Sequence, residues 1–220
     1  MSLPARDDLI FSVLGVTPEP FAVTPVLTAK IGVSTGAENS GDPVHAIALR
    51  CQVRIEPVRR GYSDDEAARL LDLFGPRERW AHTQHTFLWQ HAVAMVPGFV
   101  GTTTADLPLA CTYDFEVSAA KYLHALRDGA VPLQFLFSGT VFRKGANGFW
   151  VQQVPWDCED RHDLPVSQWR DLIEAHYPGK GWVRLDHDTI AALAAYKARR
   201  GLLDLDAAVA SLLPVEEQVP

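Results

Sequence analysis

The chain is short of basic residues, of paired cysteines and of long apolar runs. Of its 220 residues, 20 are Lys or Arg and 27 are Asp or Glu, for a formal net charge of −7. The excess is spread out: residues 1–60 are neutral overall, 61–130 carry −4 and 131–220 carry −3. A protein that tracks a phosphate backbone needs a basic stripe. The nearest approach here is Arg50, Arg54, Arg59 and Arg60, followed at once by Asp64, Asp65 and Glu66. No nucleic-acid partner is expected.

Three cysteines, Cys51, Cys111 and Cys158, are too few and too far apart for a disulfide framework, a zinc motif or an iron–sulfur cluster. They read as free thiols, mostly buried, in the reducing cytoplasm. No run of about 18 apolar residues exists, so no membrane span is expected. The opening MSLPARDDLIFSVLG places Asp7 and Asp8 before its short apolar run, unlike a secretory signal. Phosphate loops of the GxGxxG and GxxxxGK[ST] kinds, the GxSxG elbow, HExxH and CxxC are all missing. No cofactor and no catalytic residue are expected.

What is present is alternation. In 44–56, His45, Ile47, Leu49, Cys51, Val53 and Ile55 alternate with Arg50, Gln52, Arg54 and Glu56, the period of a strand with one wet face. Segments 107–117 and 131–143 repeat it, the second running through the loop signal 144–148 into a strand over 149–154. Weaker strands are read at 9–14 and 22–34, and a further one to Val96 after a short helix ending near His85. Six or more antiparallel strands indicate an α+β fold built mainly on an antiparallel β-sandwich.

Helices interrupt and finish the pattern. Ser63 and Glu66 form a capping-box signature before Ala67, Leu70, Leu71 and Phe74, with a stop at Gly75-Pro76. Later helices are read at 165–177, at 189–200, and around Leu205, Val209 and Leu212. One domain over residues 1–213 is expected. Its sandwich covers about 9–156, a helical insertion about 63–85, and a helical part about 165–213 packs on the sandwich, with a flexible tail at 214–220.

Candidate chemistry is thin. His82, His85 and His91 are the densest histidine group and the weak metal candidates, but a third ligand nine residues after the first needs a bend. Residues 155–163, PWDCEDRHD, gather Cys158, His162 and four carboxylates, whose charge opposes thiolate formation. The segment reads as a solvated acidic loop leading into a helix. Six tryptophans are a high load, and tryptophan is enriched at interface hot spots. Trp150, Trp156 and Trp182, with Arg50 and Arg54 on one strand face, are the partner-binding candidates.

The strings Leu49–Pro57 (LRCQVRIEP), Met95–Phe99 (MVPGF), Cys111–Val117 (CTYDFEV), Phe135–Phe142 (FLFSGTVF) and Val154–Asp157 (VPWD) resemble an actinobacterial family of unknown function over about residues 9–200. Genes of that family tend to lie beside those of [NiFe] hydrogenases. The resemblance implies an accessory role around hydrogen oxidation and transfers no site residues. An electron carrier needs cysteine clusters, and nickel insertion needs a His/Cys set or a P-loop. A scaffold or assembly factor needs only a surface. The expected function is a non-catalytic protein that binds a hydrogenase component or maturation factor. The alternatives are a metal carrier, or an enzyme or small-molecule binder. The last would have a pocket between sandwich and C-terminal helices, lined by residues such as His91, His124, Tyr113 and Trp156.

Overall fold

Two antiparallel sheets face each other across one apolar core in this computed structural model, which describes residues 9–36, 43–112, 117–145 and 148–213. The three-stranded sheet has β1 (Leu9–Pro18), β2 (Val26–Thr35) and β5 (Thr102–Ala110) in the order β1-β2-β5. The other holds β3 (Val44–Ile55), β4 (Phe87–Phe99), β6 (Ala130–Gly145), β7 (Gly148–Gln153) and β8 (Glu159–Pro165). Its order is β4-β3-β6, and the far edge of β6 is shared: β8 pairs with residues 130–136 and β7 with 140–145. The α+β sandwich expected from alternation is therefore present, with eight strands among the described residues.

The pleat explains which side chains meet. On β3, Ile47, Leu49, Cys51, Val53 and Ile55 are buried while Arg50 and Gln52 are exposed. Leu27, Ala29, Ile31 and Val33 of β2 oppose them from the other sheet, with Leu107 and Leu109 of β5. Phe11 of β1 stacks on Phe137 of β6 at 4.9 Å between centroids, joining the two sheets. The apolar alternation on β6 skips from Phe137 to Val141 because Gly139 has φ 143°, and a Cβ there would lie 2.2 Å from the Ala48 carbonyl oxygen. Only glycine fits that approach.

Between β3 and β4 the chain makes a run of short helices: a 3₁₀ turn at Pro57–Arg59, α1 (Asp64–Arg69), α2 (Leu71–Phe74), a 3₁₀ turn at Arg77–Arg79 and α3 (Trp80–Thr83). The capping box at Ser63 forms fully. The Glu66 amide donates to Ser63 Oγ at 3.2 Å, and the Ser63 amide donates to the Glu66 carboxylate at 3.0 Å. Gly75 ends α2 with φ 71°. Edge-to-face contacts among Tyr62, Phe74, Trp80, Phe87 and Tyr122 hold this insertion against β4 and α4 (Ser118–Ala125).

Two expectations are corrected. The strand expected over 107–117 ends at Ala110, and α4 follows from Ser118, burying Ala119, Tyr122 and Leu123 at helical spacing. Residues 113–116 lie outside the described residues. The acidic segment expected as a loop becomes β8, because its backbone fills the edge of β6 that the shorter β7 leaves open. β8 leads directly into α5 (Val166–His176), which buries Val166, Trp169, Leu172 and Ile173.

The chain divides into two compact units, residues 1–181 and 182–220. All eight strands and α1–α5 belong to the first. In the second, α6 (His187–Arg200) ends at Gly201 in the left-handed region, and α7 (Leu205–Ala210) starts at Asp204, whose carboxylate accepts from the Ala207 amide at 2.8 Å. The expected tail at 214–220 lies outside the described residues. Among the described residues no helix is long and apolar enough to cross a membrane.

Candidate functional site: a sheet face and an arginine cleft

The outer face of the five-stranded sheet is set by register. Arg50 of β3 pairs with Val93 of β4 and Ser138 of β6; Ala48 pairs with Met95 and Thr140; Ala46 pairs with Pro97 and Phe142. β7 extends these rows, placing Gln153 beside Thr140 and Val151 beside Phe142. Val93, Met95 and Val151 are 64%, 65% and 58% exposed, so the rows form a continuous and largely uncharged surface. β4 is also an edge strand, pairing only with β3 among the described residues, and it has no Asp, Glu, Lys or Arg from Phe87 to Phe99. Charged side chains and prolines usually protect such an edge; here the only proline is Pro97, near its end.

The structure separates the partner-binding candidates. Arg50 and Arg54 lie on this outer face, and neither makes an ion pair among the described residues. Trp150 pairs with the buried Arg143, so it lies on the opposite face of the sheet, its ring 5.7 Å from the Arg143 guanidinium. Trp156 is 88% exposed in the turn between β7 and β8. Trp182 belongs to the second unit.

The histidines also fall apart. α3 ends at Thr83, so exposed His82 and His85 do not share a helical turn, and His91 sits on β4. Among the described residues no group of three His, Cys, Asp or Glu is gathered to hold a metal. In the acidic segment, the Cys158 thiol donates to the Leu9 carbonyl, and the Asp160 carboxylate accepts from the Val13 amide at 2.6 Å beside the β1 bulge. That segment ties β1 to β8. Burial pushes the thiols of Cys51 and Cys111 up to about 12.

Of the residues suggested for a pocket, His124 lines one. A cavity of about 200 Å³ lies between α1, α4 and α5, bounded by Arg69, His124, Arg127, Trp169, Arg170 and Glu174. It adjoins a trough of about 370 Å³ that shares Arg127, Arg170 and Glu174 and adds Ser167 and Asp171. His91 and Trp156 lie elsewhere, and Tyr113 is outside the described residues. Burial, and then the Arg170 charge, lower His124 to about 4, so its imidazole is neutral at pH 7. Its ring meets the buried Trp169 edge-on at 5.0 Å.

Beneath this cleft lies a network that sequence reasoning missed. Glu66, 1% exposed, accepts from Arg60 at 2.9 Å and from the Arg127 amide at 2.8 Å besides its cap bond. Burial raises its carboxyl, but the Arg127 and Ser63 amides and the Arg60 guanidinium together hold it below the ordinary glutamate value. The Tyr62 hydroxyl donates to the Pro57 carbonyl at 2.7 Å, so Tyr122 donates to Tyr62 at 2.8 Å. The capping box was the one visible signal for Glu66. Its long-range partners carry no sequence spacing.

Among curated proteins none matches the chain. Solved structures with weak similarity include the following two. One is a beta-glucosidase from Kluyveromyces marxianus in complex with glucose, at 10% identity over 72% of this chain with a TM-score of 0.24; the chain spans only 15% of that enzyme's length. The other is the putative ApaA protein from Bordetella pertussis, at 15% identity over 72% of this chain and 95% of that one, with a TM-score of 0.26. A family match extends over residues 6–220, and the chain belongs to that group, described as "Family of unknown function (DUF6084)".

Proposed function

We propose that the protein is a non-catalytic accessory protein that binds another protein through the outer face of its five-stranded sheet. The observation that carries this reading is the exposure of Val93 and Met95 on an edge strand without charged residues, in rows continuous with Val151. A contiguous apolar face marks a protein–protein site more often than a solvent face. The unpaired backbone of β4 adds the option of strand addition by the partner. Arg50 and Arg54 lie beside these rows and supply polar contacts at the rim. The resemblance to a hydrogenase-associated family supports a component of a [NiFe] hydrogenase system, or of its maturation, as the partner. The three cysteines, none of them in a disulfide, support a reducing, cytoplasmic setting.

The test is affinity capture from the native host with mass spectrometry, using the wild type and a Val93→Asp/Met95→Asp variant. A hydrogenase subunit or maturation protein recovered with the wild type and at least tenfold depleted with the variant supports the reading. Equal recovery with both, or intact hydrogen uptake after deletion of the gene, refutes it.

A further inference from the structure

Three guanidinium groups from separate parts of the chain converge on the cleft between α1, α4 and α5: Arg69 of α1, Arg127 after α4, and Arg170 of α5. Among the described residues their hydrogen bonds leave guanidinium nitrogens unused. Asp65 accepts from Nε of both Arg69, at 3.1 Å, and Arg127, at 3.0 Å, so each keeps its two terminal nitrogens. Arg170 gives one terminal nitrogen to the Arg127 carbonyl at 3.2 Å and keeps Nε and the other. One carboxylate thus orients two arginines, and a carbonyl orients the third.

The acids nearby, Asp65, Asp171 and Glu174, match the three arginines in number, so recognition here rests on guanidinium donors and not on net charge. Glu174 takes the Gly179 amide on both carboxylate oxygens, at 3.1 and 3.2 Å. Asp171 is exposed on the trough side. The charge of Arg170 reaches His124 and, after burial, helps keep that imidazole neutral.

We propose that this cleft binds a phosphate monoester, with the phosphate in the inner cavity between Arg69, Arg127 and Arg170 and the organic part in the adjoining trough. Guanidinium forks match the oxygens of a tetrahedral dianion better than lysine does. An inner cavity of about 200 Å³ holds a phosphate group, and the outer trough of about 370 Å³ leaves room for a small polar remainder. The site is separate from the sheet face, and its occupancy does not depend on the docking function.

The test is a titration of the full chain with inorganic phosphate and with glycerol 3-phosphate, ionic strength held constant with sodium chloride. It is followed by NMR of the His124 ring and the Arg127 and Arg170 amides. Saturable shifts confined to these groups, with a dissociation constant of millimolar or tighter, are expected. Arg170→Gln is expected to weaken binding at least tenfold, Arg170→Lys less, and Lys30→Gln on β2 not at all. Both Arg170 and Arg69 are exposed, so Arg69→Gln is a second variant should Arg170→Gln disturb folding. Linear shifts, equal shifts with chloride alone, or unchanged binding in both glutamine variants would overturn the proposal.

Discussion

Glu66 shows how one residue serves two levels of structure. As the third residue of α1 it completes a capping box worth about 1 kcal/mol. As a buried carboxylate it also neutralises Arg60, whose side chain is 9% exposed, and ties the Arg127 backbone from 61 residues away. Removing its charge leaves a shielded cation without its counter-charge. Glu66→Gln is therefore expected to cost about 2–4 kcal/mol, measured by urea unfolding at pH 7. Because the folded carboxyl is held below its ordinary value, its contribution is complete above the unfolded glutamate pKa and disappears as pH falls through the folded value. The variant should lose this acid limb.

The cysteines give a second prediction at the residue scale. Burial raises Cys51 and Cys111 to about 12, so almost none of either thiol is ionised near neutrality. Thiolate is the reactive form. Alkylation of the native protein with iodoacetamide at pH 8, mapped by peptide mass spectrometry, should label half-buried Cys158 first. Cys51 and Cys111 should react only at the rate of unfolding. Rapid native labelling of Cys51 would contradict the core placement.

At the scale of elements, period-two alternation was the legible part of the fold. β3 and β6 appeared almost at their observed limits because one face of each is buried and the other wet. β8 was hidden because its sequence, EDRHDLP, buries only Leu164; its strand character comes from pairing with β6, which no local pattern encodes. α4 was hidden because the strand-like run through Val117 masked the helical spacing of Ala119, Tyr122 and Leu123. The same limit governed the sites. Arg50 and Arg54 could be placed on one strand face, whereas Arg69, Arg127 and Arg170 meet only after α1, α4 and α5 have packed.

That packing predicts a pH response. His124 on α4 lies edge-on against Trp169 of α5, and burial with the Arg170 charge lowers it to about 4 from its ordinary 6.5. The folded state therefore binds fewer protons than the unfolded state between those values. Stability is complete above about pH 6.5 and falls by about 2–3 kcal/mol as pH drops towards 4. Urea unfolding between pH 7.5 and 4.5 should show this slope in the wild type and a flatter one in His124→Gln. Loss of the Glu66 contribution begins lower, so the two limbs are separable.

At the scale of the molecule, a net charge of −7 with no basic stripe turns attention from charge to shape and apolar area. The proposed docking face carries Val93, Met95, Pro97, Phe142 and Val151, with Arg50 and Arg54 beside these rows on β3 and Lys144 and Arg161 on the same face of β6 and β8. Contacts between exposed charges are screened within about 10 Å at 0.1 M salt, whereas apolar burial is not weakened by salt in that way. Affinity for the captured partner, measured by surface plasmon resonance at 50 and 500 mM sodium chloride, is therefore expected to fall less than about tenfold, as two charge contacts allow. Arg50→Gln/Arg54→Gln should flatten even that dependence while retaining most of the binding, and Val93→Asp/Met95→Asp should abolish binding at both salts. A fall of a thousandfold with salt would mean that the recognition is electrostatic and that the apolar rows across β4, β3, β6 and β7 are not its centre.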